Sequence, residues 1–204
     1  EEESEICFTF GGSEADNLAL KGIAKSRKNR GKHIITTQIE HMAILNSCKQ
    51  LEEEGYEVSY IGVDSDGIIR LNELENTIRN DTILISVMFA NNEIGTIQPI
   101  EQIAKIAHDK NIIFHTDAVQ AIGNMPIDVQ KMDIDMLSLS GHKINAPKGI
   151  GALYIKKEVQ VEKYINEFLS LENPTRELII NLVEKIYIYQ DKTLDIIFTF
   201  KNVT

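Results

Sequence analysis

Residues 137–144 read Leu-Ser-Leu-Ser-Gly-His-Lys-Ile, an apolar run that stops abruptly at a polar cluster containing a lysine. Such a run is typical of a buried strand, and the small residues after it let the backbone approach a bound molecule. Ser140, His142 and Lys143 would then lie at the carboxyl end of a strand, where open α/β sheets bind their ligands. The alternative is a surface turn with a solvated lysine, since most lysines are exposed.

The composition of the 204-residue chain is that of an ordinary globular protein, with 43% hydrophobic and 25% charged residues. The net charge of −10 disfavours a nucleic acid as partner, because a phosphate backbone binds a basic surface. The sequence contains no apolar run of membrane-spanning length and begins with acidic residues instead of a basic leader. We therefore expect a cytoplasmic protein without a membrane partner.

The two cysteines, Cys7 and Cys48, are far apart and belong to no Cys-x-x-Cys or Cys/His cluster. This spacing predicts neither a zinc site nor a disulfide framework. We expect both cysteines to be small buried apolar residues, and we assign no metal ligands.

The start of the chain has the pattern strand, glycine turn, helix. Residues 6–10 are β-branched or aromatic, and Gly11 and Gly12 separate them from a helical pattern. Ser13 occupies a position typical of a helix N-cap, with Asp16 as a possible capping partner. Alternatively, the two glycines let the backbone and the helix dipole hold a phosphate. The spacing matches neither the dinucleotide nor the P-loop motif, so both interpretations stay open.

Helical and strand patterns alternate from residue 6 to about residue 156. After the first strand and helix, the predicted strands are 32–37, 57–61, 82–88, 112–116, 133–140 and 149–155, and the predicted helices are 40–51, 72–79 and 99–110. This alternation predicts an α/β domain with a mostly parallel sheet.

Polar side chains follow several of these strands. His41 is either a helix cap or a residue that stacks on a ring and shuttles protons. Asn91 and Asn92 either form a turn or direct amides into a cleft. Asp117 follows a buried strand and needs a partner, which is either a backbone N–H or lysine, or a protonated ring nitrogen of a ligand. Gln120 would lie above the same sheet edge if a helical turn begins there.

Together these groups fit one cofactor. Pyridoxal phosphate needs an anion cradle, a carboxylate that keeps its pyridine nitrogen protonated, a group over its ring and a lysine for a Schiff base. Each of these requirements has a candidate at a predicted strand end.

Six stretches also match a known family. They are Thr-Phe-Gly-Gly-Ser-Glu-Ala-Asp-Asn at 9–17, Glu-His at 40–41, Asn-Asn-Glu-Ile-Gly at 91–95, His-Thr-Asp-Ala-Val-Gln at 115–120, Ser-Leu-Ser-Gly-His-Lys at 138–143 and Pro-Lys-Gly-Ile-Gly at 147–151. In this order they closely resemble cysteine desulfurases of the class V aminotransferase superfamily, over about residues 5–157. The resemblance implies the three-layer large domain of a fold-type I pyridoxal-phosphate enzyme, with a mostly parallel central sheet.

The resemblance also implies roles for the site residues. Lys143 would form the Schiff base and later transfer protons, and His41 would stack on the ring and assist. Asp117 would pair with the pyridine nitrogen, Gln120 would hydrogen-bond the ring hydroxyl, and Asn92 would lie against cofactor and substrate. The phosphate would be held by the Gly12 backbone, Ser13, Ser140 and His142.

The implied reaction removes sulfur from L-cysteine, giving L-alanine and an enzyme persulfide for iron–sulfur cluster assembly or thiolation. A sulfur acceptor or scaffold protein and a homodimer are further implications. Family members take the sulfur on a cysteine of a mobile C-terminal loop, and neither Cys7 nor Cys48 occupies that place. We therefore expect a fragment lacking the N-terminal segment and the C-terminal domain, with weak or no turnover. The alternatives are another class V enzyme, such as a selenocysteine lyase or an aminotransferase, or a truncated non-catalytic cofactor-binding protein.

The expected domain organisation divides the chain at residue 157. Residues 1–157 would form the cofactor-binding domain, and residues 158–204 a divergent helical tail in place of the family's C-terminal region. Amphipathic patterns predict helices over 159–171 and 176–189, and an apolar run predicts a strand over 194–200.

Overall fold

The computed structural model describes residues 5–157 and 159, and the backbone of residues 183–188 and 194–198. Seven strands form one sheet: β1 (Ile6–Thr9), β2 (His33–Thr37), β3 (Glu57–Ile61), β4 (Thr82–Ser86), β5 (Ile113–Asp117), β6 (Met136–Ser140) and β7 (Gly151–Ile155). Four α-helices connect them: α1 (Gly12–Ser26), α2 (Met42–Glu53), α3 (Leu71–Thr77) and α4 (Ile100–His108). A short 3-10 helix, Gly141–Ile144, follows β6. No helix within the described ranges is both long and apolar enough to cross a bilayer.

The strand order is β1-β7-β6-β5-β4-β2-β3. β7 is antiparallel to both of its neighbours, and every other pairing in the sheet is parallel. The carboxyl ends of β1, β6, β5, β4 and β2 therefore meet at one edge of the sheet. The segments that follow these strands carry the polar residues singled out from the sequence.

Two hydrophobic clusters cover the two faces of the sheet. Ile34 of β2 and Ile113 of β5 pack on the side of α1 and α2. Ile35 and Phe114, the next residues along the same strands, pack on the side of α3 and α4. Consecutive strand residues point to opposite faces, and both faces are buried, so buried apolar residues occupy adjacent positions in both strands. The prediction of a three-layer domain with a mostly parallel sheet is confirmed.

The start of α1 differs from the capping prediction. Gly11 is the N-cap residue and no side chain caps the helix. Ser13 is exposed within the first turn, and Asp16 is buried. Glu14 instead reaches back, and its Oε2 accepts a hydrogen bond from the backbone N–H of Phe10 at 2.5 Å. The capping prediction for Ser13 and Asp16 is therefore wrong, because the third helical residue already satisfies the backbone ahead of the helix.

The tail differs from the prediction at one point. Residues 183–188 form β8 (Val183–Ile188), which pairs in antiparallel fashion with β9 (Leu194–Phe198). The predicted strand at 194–200 is confirmed over β9, whereas the helix predicted over 176–189 is wrong where β8 lies. The sequence of β8 is Val-Glu-Lys-Ile-Tyr-Ile, and β-branched and aromatic residues favour strands. The helix predicted over 159–171 lies, apart from residue 159, outside the described residues.

Candidate functional site

A cavity of about 460 Å³ opens at the carboxyl edge of the sheet, where β1 and β6 end and α1 begins. Gly12 and Ser13 line it from the first turn of α1, and Ser140 and His142 line it from the end of β6 and the 3-10 helix. The structure thus brings together the four residues that the sequence suggested for a phosphate. Further lining residues are Phe10, Gly11, Glu14, Lys148 and Gly149.

Glycine at position 12 is required by the packing beneath this cavity. An ideal Cβ on Gly12 would lie 2.5 Å from Cγ2 of Val119 and 3.6 Å from Cβ of Ser140. Any larger residue would push the start of α1 away from the turn after β5. The absence of a side chain therefore lets the helix terminus approach both Val119 and Ser140 closely.

The donors around the cavity suit an anion. The first N–H groups of an α-helix have no acceptor within the helix, and the 15-residue α1 directs this end, with the positive end of its dipole, towards the cavity. The Oγ of Ser140 lies 2.8 Å from Nδ1 of His142, so the hydroxyl and the ring hold each other in place. The side chain of Ser13 is exposed and adds a second hydroxyl.

Asp117 ends β5, and only 5% of the residue is exposed. Its Oδ1 accepts a hydrogen bond of 2.9 Å from the backbone N–H of Val119, which is one of the two kinds of partner expected from the sequence. Its Oδ2 accepts no hydrogen bond from any described residue. Burial raises the pKa of Asp117, and nearby His41 opposes this shift. A cation beside Oδ2 would stabilise the ionised form.

His41 is the N-cap residue of α2, and its Nδ1 accepts a hydrogen bond of 3.2 Å from the backbone N–H of Ala43. Because Nδ1 is an acceptor, the proton of the neutral ring resides on Nε2. His41 is exposed as a residue. Capping and chemistry are therefore compatible at this position.

The loop after β4 is tied to the segment that carries His41. Asn91 is buried, its Nδ2 donates to the carbonyl oxygen of Ile39 at 2.8 Å, and its Oδ1 accepts from the N–H groups of Glu93 and Ile94. The turn interpretation is confirmed for Asn91. Asn92, the predicted site residue, is exposed in the same loop.

Glu40 is a buried carboxyl group beside His41 that the sequence did not single out. Its Oε1 accepts from the hydroxyl of Thr37 at 2.6 Å and from the N–H of Met88 at 3.0 Å, so it links the ends of β2 and β4. Its Oε2 is buried without a hydrogen-bond partner. Burial raises the pKa of Glu40 to about 8. A mostly neutral carboxyl group thus fixes the backbone that precedes His41.

A second polar group lies beneath Asp117. The ring of His115 is fully buried, with Nδ1 2.9 Å from Oγ of Ser86 and Nε2 2.9 Å from Oγ of Ser138. Burial lowers the pKa of His115 to about 3, so the ring is neutral. Oδ1 of Asp16 lies 3.9 Å from His115 Nε2 and has no hydrogen-bond partner. Burial, together with the charge of Asp117, raises the pKa of Asp16 well above its usual value.

Lys143 lies in the 3-10 helix that follows β6 and is exposed. Its amine has no hydrogen bond or ion pair with a described residue, and it is not among the residues that line the cavity. Gln120 is half-buried in the turn after β5. This turn packs against the 3-10 helix, since an ideal Cβ on Gly123 would lie 2.7 Å from Cγ2 of Ile144. Gln120 and Lys143 therefore belong to adjoining segments at the same sheet edge.

Comparison with known proteins agrees with this geometry. The aminotransferase class-V family matches residues 1–168. Cysteine desulfurase IscS of Methanosarcina thermophila is 59% identical over 165 residues, which are 81% of this chain and 41% of that protein. The solved structure of SspA in complex with cysteine is 51% identical with a TM-score of 0.72, covering 74% of this chain and 44% of that one. A NifS-like protein is 46% identical with a TM-score of 0.75, covering 78% and 44%.

The chain thus spans less than half the length of these relatives. The match nevertheless includes every element that carries the cavity and the buried carboxyl groups. The chain belongs to the aminotransferase class-V family.

Proposed function

We propose that this chain is the cofactor-binding part of a pyridoxal-phosphate-dependent cysteine desulfurase. Pyridoxal 5'-phosphate is the cofactor of the family. The observation that carries the proposal is one cavity that collects Gly12, Ser13, Ser140 and His142, at the sheet edge where the buried carboxyl group of Asp117 accepts a hydrogen bond from Val119, the residue packed against Gly12. An anion site and a buried acid at one sheet edge match the two polar ends of this cofactor.

The residues present fit the cofactor on two grounds. Gly12 lets the start of α1 approach Val119 and Ser140 closely, since a Cβ there would collide with Val119, and this packing brings the N–H groups of the helix to the cavity that Ser140 also lines. Oδ2 of Asp117 accepts no hydrogen bond from the part of the chain that the structure describes, and burial raises the pKa of the carboxyl group, so a positive neighbour would favour its ionised form. A protonated pyridine nitrogen is such a neighbour. When bound, the cofactor supplies an electron sink for the charge that develops on the α-carbon of an amino acid.

The proton transfers fall to Lys143 and His41. Lys143 would hold the cofactor aldehyde covalently, and after displacement by substrate its Nζ would take the α-proton. Its lack of an ion pair with a described residue leaves the amine available for both tasks. His41 would stack on the ring and donate from Nε2, since Ala43 N–H fixes Nδ1 as an acceptor. Gln120 would hydrogen-bond the ring hydroxyl, and the exposed Asn92 would contact cofactor and substrate.

The substrate we propose is L-cysteine. The structure of the similar protein SspA was solved in complex with cysteine. In the reaction, the carbon–sulfur bond of cysteine breaks, the sulfur passes to a protein thiolate as a persulfide, and alanine remains. We further propose a cytoplasmic homodimer that hands the sulfur to an acceptor or scaffold protein for iron–sulfur cluster assembly or thiolation.

The two cysteines of this chain are poor sulfur acceptors. Cys48 is fully buried in α2, and burial raises the pKa of its thiol to about 12, so almost no thiolate forms at neutral pH. Cys7 is half-buried, so the expectation that both cysteines are buried is wrong for Cys7, and its pairing opposite Leu153 holds it within β1 instead of on a mobile loop. We therefore predict weak or no release of sulfide and alanine from L-cysteine by the 204-residue chain, although it binds the cofactor.

The test is an absorbance titration of the purified chain with pyridoxal 5'-phosphate. We expect a long-wavelength band in the wild type that is lost in Lys143→Ala, with Lys110→Ala as a control for an exposed lysine elsewhere. Identical spectra of the wild type and Lys143→Ala would refute the cofactor site. Robust sulfide release from cysteine would contradict the prediction of weak turnover, and turnover of selenocysteine or transamination instead would favour another class V reaction.

A further inference from the structure

We propose that Lys148 supplies the positive charge that holds the phosphate group of the cofactor. The inference rests on the proposed function and adds a binding residue to it. Lys148 lines the same cavity as Ser13, Ser140 and His142. Among the described residues that line this cavity, it is the only lysine or arginine.

The charge balance of the cavity makes this lysine important. Glu14 contributes a carboxylate to the lining, and a phosphate monoester carries close to two negative charges at neutral pH. Glu14 is engaged by the N–H of Phe10, yet its charge remains next to the site. The hydroxyl of Ser13 and the N–H groups of α1 supply only partial charges. Lys148 is therefore the full positive charge in the lining that offsets Glu14 and attracts the phosphate.

The backbone holds Lys148 at the cavity. The loop between the 3-10 helix and β7 is closed by a hydrogen bond from the N–H of Gly141 to the carbonyl oxygen of Ile150 at 2.8 Å, and by one from the N–H of Ala146 to the carbonyl oxygen of Gly141 at 3.0 Å. Gly149 has φ +89°, a conformation that glycine adopts readily. These constraints place residues 148 and 149 against the start of α1.

The amine of Lys148 is also uncommitted. It is exposed and makes no hydrogen bond or ion pair with a described residue. Because its amine has no hydrogen bond or ion pair with a described residue, Lys148 breaks no such contact when it binds a ligand. Its substitution is therefore expected to change ligand affinity and leave the stability of the fold nearly unchanged.

The test compares pyridoxal 5'-phosphate with pyridoxal, which lacks the phosphate. Affinities of both are measured for the wild type, Lys148→Met, Lys148→Arg and the control Lys110→Met. Lys110 is exposed in the turn between α4 and β5, at the opposite sheet edge. We expect Lys148→Met to weaken the binding of the phosphate form about tenfold, the usual worth of one hydrogen bond to a charged group. Pyridoxal should bind all four proteins alike, and Lys148→Arg should retain most of the affinity.

Two results would overturn the assignment: an unchanged affinity for the phosphate form in Lys148→Met, or an equal loss for both ligands, which would indicate loop damage. Urea unfolding of Lys148→Met, at the same midpoint as the wild type, excludes a folding defect. A wild type without a Lys143-dependent absorbance band would refute the cofactor proposal and this one with it. A wild type with that band, and a Lys148→Met variant that binds like it, would refute the role of Lys148 alone.

Discussion

Adding one methyl group at Gly151 tests how closely β1 and β7 must approach to form the cavity. Gly151 opens β7 and is opposite Thr9 on one side and Ser140 on the other. An ideal Cβ on Gly151 would lie 2.6 Å from the Cα and carbonyl carbon of Gly11, and 2.8 Å from the carbonyl oxygen of Leu139. All three atoms belong to the backbone, so no side-chain rotation relieves the contact.

The magnitude follows from these distances. Overpacking of a protein interior costs about 1–3 kcal/mol. We expect the upper end at Gly151, about 3 kcal/mol, because the strands on both sides must move apart. Alanine restricts the unfolded chain more than glycine does, which returns up to about 1 kcal/mol. The net loss in the free energy of unfolding of Gly151→Ala is then about 2 kcal/mol.

Urea unfolding at constant pH measures this loss, and a slope of about 2 kcal/mol per molar urea converts it to a midpoint shift of about 1 M. Gly62→Ala is the matched control, since its new Cβ would meet only the ends of side chains, at 3.2 Å from Nη1 of Arg70 and 3.9 Å from Oε2 of Glu73. An exposed guanidinium moves easily, and we expect a shift near zero. If Gly151→Ala unfolds at the midpoint of Gly62→Ala, the close approach is not required and the packing argument fails.

Three further predictions concern buried or paired titratable groups. The hydrogen bond of His108 to Asp135, and a second one to Asp133, raise the pKa of His108. The contribution of His108 to stability, about 1 kcal/mol, is therefore present below pH 6.5 and is lost as the pH rises through the folded-state pKa. The difference in unfolding free energy between the wild type and His108→Gln should shrink from pH 6 to 9, and a constant difference would contradict this. Burial raises the pKa of Asp16, so the native state becomes less stable as the pH rises above the ordinary carboxyl range. Asp16→Asn should therefore unfold at a higher urea concentration than the wild type at pH 7 but not at pH 4. If Asp16→Asn is less stable than the wild type at pH 7, the fold requires the charge of Asp16. Cys48 should resist alkylation in the native state and react in urea, as followed by mass spectrometry, whereas rapid native labelling would show that the interior beside α2 opens readily.

The layered fold was predictable because its strands are apolar on both faces. Residues 82–88 are apolar except for Thr82 and Ser86, and β4, which forms the first five of them, is fully buried. The antiparallel direction of β7 was not predictable, since a strand pattern has the same period in either direction. The strand at β8 was missed because apolar residues in a short segment fit a helical and a strand period equally well, and long-range pairing decides between them.

The site shows the same division between local and long-range information. Strand ends and glycine turns pointed to Ser140, His142 and Asp117 because parallel strands share one edge. Asp16 was interpreted as a possible capping partner of Ser13, although it lies one helical turn before Leu20 on the buried face of α1. Helical periodicity could have identified it as a buried acid. Lys148 could not be placed, because its position depends on how the loop before β7 folds back on α1.

The position of β1 also determines when the cavity can form. Among the described strands, β1 pairs with β7 alone, so the first strand of this sheet must wait for the last one. The N–H of Lys157 donates to Oε1 of Glu5 across a separation of 152 residues. At ribosomal rates of about 5–20 residues per second, this closure follows the emergence of Glu5 by on the order of ten seconds. The nascent chain therefore exposes an unpaired β1 and an incomplete phosphate cavity until almost the whole sheet has been synthesised.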